Sequence, residues 1–121
     1  MEAMTQENKE LLLKDLCARL PYGVKIRVND KIETVEGINI LDNIVEFGTY
    51  MACDIDEVKP YLFPMSSMTE EQKKEIEFDV SSECFGDWAK RLIDFYNKHH
   101  IDYRGLIEKG LALDATNKNI Y

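Results

Sequence analysis

Two histidines stand side by side, His99 and His100, with Asp102 two places on. Imidazole and carboxylate bind metals and carry protons, so this is a grouping a metal-dependent hydrolase would use. Neighbouring residues of a helix project about 100° apart, so one ion does not easily take both rings unless the helix end frays. Further ligands would have to come from Cys84 or Asp87, and no spacing demands either. The competing reading, a helix C-terminus with two half-exposed histidines, asks for less. Asp102-Tyr103-Arg104-Gly105 sets a carboxylate, a phenol and a guanidinium beside a residue free to take positive φ. Arg104 can clamp a phosphate or carboxylate bidentately and Tyr103 can stack on a base, which describes a binder of small, nucleotide-like anions. Against it stands an internal Asp–Arg pair tying the tail to the last long helix. Tyr61, Phe63, Pro64 and Met65 form an aromatic and proline-rich knot, suited either to a peptide groove or to closing a core under a linker. Trp88 shares a helical stripe with Leu92 and Phe95 and reads as core.

Other chemistry has no foothold. The sequence holds no Gly-rich phosphate loop, no G-x-S-x-G and no H-E-x-x-H. Asp54 and Asp56 form a D-x-D, but Pro60 and a missing glycine spoil a calcium loop. Cys17, Cys53 and Cys84 are odd in number and far apart, so free thiols in a reducing compartment are expected rather than zinc or disulfides. Acidic residues outnumber basic ones 23 to 15, a net charge of −8. Residues 65–84 alone carry net −4, whereas 85–121 carry net +1. Such a surface repels phosphate polymers and anionic lipid, so generic nucleic-acid or membrane binding is not expected. No apolar run nears the roughly 20 residues of a membrane span. The polar, acidic start from Met1 to Glu10 lacks the features of a secretory leader.

The elements that must position these residues follow from periodicity. Residues 5–20 read as an amphipathic helix with Leu12, Leu13, Leu16, Cys17 and Leu20 on one stripe, Asp15 off it, Thr5 as N-cap and Pro21 as terminator. Val24, Ile26 and Val28 alternate with Lys25 and Arg27, the pattern of a half-buried strand, and Asn29-Asp30 suits a tight hairpin turn. The return strand breaks parity at Val35 and Glu36, next to Gly37, which predicts a bulge or sharp bend. Leu41-Asp42-Asn43 reads as a second turn, with strands at 44–47 and 49–53 and one short helical turn near Asp54 to Pro60. A charged helix is expected from the capping-box residues Ser67 or Thr69 to about Phe78. A stronger helix follows, opened by Ser82 or Asp87 and striped by Phe85, Trp88, Ala89, Leu92, Phe95 and Tyr96. Gly105 and Gly110 bracket one more helical turn, and residues 117–121 have little to anchor them beyond Ile120 and Tyr121.

These elements make one α+β domain: a helix at 5–20, a small, strongly curved antiparallel sheet at 23–53, and a helical part at 67–121. The specific expectation for the sheet is an SH3-like, partly open barrel; a plain antiparallel meander with a helix on one face is the alternative. Residues 15–24, 59–69 and 99–112 resemble a family of small uncharacterised proteins encoded by anaerobic gut bacteria and by their phages and mobile elements. That resemblance implies a bacterial cytoplasmic or phage-encoded protein and carries no catalytic role. The function expected is a non-enzymatic binding or accessory module acting on another protein, without cofactor or metal. Its candidate contact residues are Tyr61, Phe63, Asp102, Tyr103 and Arg104. A nucleotide-like anion held by Tyr103 and Arg104, and a hydrolase around His99, His100 and Asp102, are the alternatives. A nucleic-acid mimic is a subtype of the first reading and needs the acidic groups of residues 21–84 arrayed on one face.

Overall fold

The computed structural model describes residues 4–121. It is α+β: helix α1 (Gln6–Arg19), strands β1 (Lys25–Val28), β2 (Lys31–Asn39), β3 (Ile44–Phe47), β4 (Met51–Asp54) and β5 (Lys59–Leu62), helices α2 (Glu70–Glu75) and α3 (Phe85–Lys98), and a short strand β6 (Leu113–Asp114). The sheet order is β4-β3-β2-β1-β5-β6, with β4 and β6 as open edges. All pairings are antiparallel except β5 with β6. Among the described residues, no helix is long and apolar enough to cross a membrane.

Local chemistry accounts for most of this. The Thr5 hydroxyl accepts from the Asn8 amide and opens α1, and a 3₁₀ turn at Leu20–Tyr22 closes it, with Gly23 at φ 69°. Asn29 and Asp30 both hold positive φ, 50° and 63°, as a two-residue hairpin with right-handed strand twist requires. The parity break of β2 is a bulge between Val35 and Gly37. β2 passes from its pairing with β1 to its pairing with β3 between Thr34 and Val35, and at Gly37, just past the bulge, a Cβ would meet the Glu46 carboxylate at 2.9 Å. The sheet presents Ile26, Val28, Val35, Val45 and Phe47 to Leu12, Leu13 and Leu16 of α1, and the turns around Val58, Leu106 and Leu111 close this core.

Several expectations are corrected. The sheet does not end at residue 53: β5 and β6 extend it, with a 3₁₀ turn at Ile55–Glu57 between β4 and β5. The charged helix stops at Glu75, despite a complete capping box between Thr69 and Gln72, because Ile76 leaves helical geometry to join a second apolar cluster with Met68, Phe95 and Ile101. Neither Ser82 nor Asp87 caps α3; Cys84 is the N-cap, without a side-chain bond, and the Ser82 hydroxyl donates to Asp79. Asp15 is fully buried rather than off the apolar stripe. The segment between Gly105 and Gly110 is a run of turns rather than a helix, organised by the Asp102 carboxylate, which accepts from the amides of Leu106 (2.8 Å) and Ile107 (2.9 Å). Of the two anchors expected for residues 117–121, Tyr121 does hold the end of the chain: its hydroxyl donates to the Tyr61 carbonyl and accepts from the Lys25 amide.

Candidate functional site

Spacing four residues apart puts Asp15 and Arg19 on one face of α1, and that face turns inward. Their side chains are wholly buried and joined by two bonds, Nε to Oδ2 at 2.9 Å and Nη2 to Oδ1 at 3.1 Å. Arg19 also donates to the carbonyls of Tyr96, in the last turn of α3, and of Ile101, three residues past its end. Arg104 reaches the same carboxylate, Nη1 to Oδ1 at 2.7 Å. One buried carboxylate therefore serves two guanidinium groups. The Tyr103 ring lies against both, 4.6 Å from the Arg104 guanidinium and 5.3 Å from that of Arg19, and it stacks on Tyr96. Its hydroxyl donates to Asn97.

The sequence candidates thus separate. Tyr103 and Arg104 do meet, but Arg104 is already paired with Asp15, a residue 89 positions away. Asp102 is buried and both its oxygens are occupied by backbone amides. Tyr61 is buried within β5. Phe63 is half-buried, bonded through its backbone to both His100 and Asp102, with its ring beside Tyr121. A cleft of about 440 Å³ opens over Pro64, Met65, Asp102 and Tyr103. His99 and His100 diverge: the first ring packs on Phe95, the second stacks on Tyr121 at 3.8 Å. Among the described residues, no three His, Cys, Asp or Glu side chains are grouped to hold a metal.

Sequence reasoning missed a surface on residues 70–94, from α2 through the first part of α3, termed the arm below. Phe78, Phe85 and Trp88 form a three-ring cluster with centroids 5.4–6.2 Å apart. It faces solvent: Phe85 is 68% exposed, Phe78 37% and neighbouring Val80 83%. The loop beneath is held in place. The Trp88 indole donates to the Ile76 carbonyl at 2.7 Å, and Arg91 donates to the carbonyls of Glu75 and Glu77 and to the Glu83 carboxylate. Hydroxyls of Ser81 and Ser82 hold the Asp79 carboxyl down to about 2, so this rim stays anionic. Bonding to Arg91 likewise lowers the Glu83 carboxyl. The stripe from Phe85 to Tyr96 was visible in the sequence, but periodicity does not say which part of a stripe is covered. Compared with known proteins, the chain matches no family model, no curated protein and no solved structure.

Proposed function

We propose that this chain is a non-enzymatic binding module that acts by contact with another protein, through the aromatic face of the arm. The observation that carries the reading is two rings standing in solvent, Phe78 on the loop fixed by Trp88 and Arg91 and Phe85 at the start of α3. Large rings presented on an ordered frame lose little freedom on binding, which is how interface anchors work. Residues 70–94 carry eight acidic and four basic side chains, so the fitting partner is a segment with apolar side chains flanked by Lys or Arg. We read the five strands in the order β5-β1-β2-β3-β4, with the bent β2 and the 3₁₀ turn before β5, as an SH3-like arrangement. A compact accessory factor of this kind fits the phage or mobile-element origin that the three resembling segments imply.

The test is a displayed-peptide selection against the wild-type chain, with counter-selection against the Phe78→Ser/Phe85→Ser double variant. Enrichment of apolar segments with flanking Lys or Arg, lost on the variant, is the expected result. Enriched peptides that bind both proteins equally, or no enrichment at all, overturn it. Thermal melting of the double variant checks that it keeps the fold, since exposed positions contribute little to stability.

A further inference from the structure

A recess of about 500 Å³, lined by none of the three rings of the aromatic cluster, lies between the end of α3, the segment after β5 and the tail. Phe63, Gln72, Lys98, His100, Asn117 and Tyr121 are among its walls. Three observations single it out. First, no residue lining it is acidic, although the chain carries 23 acidic residues and every other sizeable recess described contains at least one. Lys98 sits on its rim, so this is the part of a net-negative molecule that admits an anion. Second, His100 is only 6% exposed, yet its Nδ1 has no hydrogen-bond partner. A buried polar nitrogen left unpaired is costly, so a ligand that bonds to it gains from ending that deficit. Third, His100 holds φ 59° at the close of α3, where the Ile101 amide donates back to the Tyr96 carbonyl. Glycine or asparagine fills such a position at least strain; here it carries a ring stacked on Tyr121, which also meets the Phe63 ring at 5.9 Å.

We infer that this recess binds a nucleobase-like heteroaromatic ring bearing an anionic group. The ring edge bonds His100 Nδ1 and the amides of Gln72 or Asn117, its face meets the aromatic wall, and the anion meets Lys98. A plain benzoate-like anion would leave Nδ1 unpaired, and a basic ligand would face Lys98. Burial holds the imidazole neutral near pH 7, so it offers one donor and one acceptor nitrogen rather than a second cation.

The test is titration of the ¹⁵N-labelled chain with a panel of nucleoside monophosphates, with the matching nucleosides and inorganic phosphate as separate probes. Expected are saturable shifts at Lys98 to Ile101 and Thr116 to Tyr121, together with the His100 ring nitrogens, for at least one monophosphate. Lys98→Gln, at an exposed site, should weaken that monophosphate about tenfold and leave its nucleoside unchanged. His100→Asn, which tolerates positive φ, should abolish the binding while keeping the dispersed spectrum of the folded chain. No saturable shift up to about 10 mM overturns the inference, as does phosphate alone reproducing the shifts, or either variant binding like the wild type.

Discussion

At the residue scale, Asp15 is the side chain on which most polar order depends. Two guanidinium groups rely on its charge, and one of them, Arg19, is wholly buried. Asp15→Asn keeps the shape and removes the charge, leaving Arg19 without its counter-ion. A loss of about 3–5 kcal/mol in urea unfolding is expected, against less than about 0.5 kcal/mol for Asp94→Asn on the exposed side of α3. Similar losses for the two variants would refute the shared-carboxylate account. His100 gives a second expectation. Burial, with help from the nearby Arg19 charge, pushes its imidazole down to about 4 from an ordinary 6.5. The unfolded chain therefore takes up the proton first as pH falls. The stability tied to the neutral ring is complete above pH 6.5 and is lost between there and pH 4. Unfolding at pH 7 and pH 5 should show the wild type losing about 2 kcal/mol more than His100→Asn. Parallel losses would show that the ring is not held neutral.

At the scale of elements, the arm and the hairpins differ in how they are held. The β1–β2 hairpin is paired on both flanks and feeds the main core, whereas α2 and the first half of α3 have no fully buried residue. Hydrogen exchange should find amides of residues 70–92 opening at much lower free energy than those of 25–35; equal protection would contradict this. The same contrast explains what the sequence disclosed. The Asn29-Asp30 turn, the Val35–Gly37 bulge and the Thr5 cap are decided within a few residues, and each was legible. Strand β5 was not, because the stretch up to Pro60 reads as a short helical turn; Pro60 instead stands opposite Ile26 in the pairing with β1, and the pairing with β6 begins only at Tyr61. β6 itself is too short to leave a pattern. The candidate site was half legible. Tyr103 and Arg104 were singled out, but the carboxylate that Arg104 meets lies on α1, at a position whose charge reads as solvated. Trp88, read as core, is half-buried, whereas Phe85 on the same stripe stands in water, because a helical stripe has the same spacing whether protein or water lies over it.

At the scale of the whole molecule, two apolar clusters coexist. The larger is closed by α1 over the sheet; the smaller gathers Met68, Phe95 and Ile101. Between them run the Asp15 bonds and the paired backbone contacts of Phe63 with His100 and Asp102. The open sheet margin at β4 carries a further implication. Its four residues bear one charge, Asp54, and next to them Tyr50 stands wholly uncovered, with Met51 also in water. Bare peptide groups there are ready to template another strand, and mutual repulsion between net-negative molecules is the main force keeping two such rims apart. Around the isoelectric point, close to 4.7, that colloidal protection vanishes, and aggregation should begin edge to edge from β4.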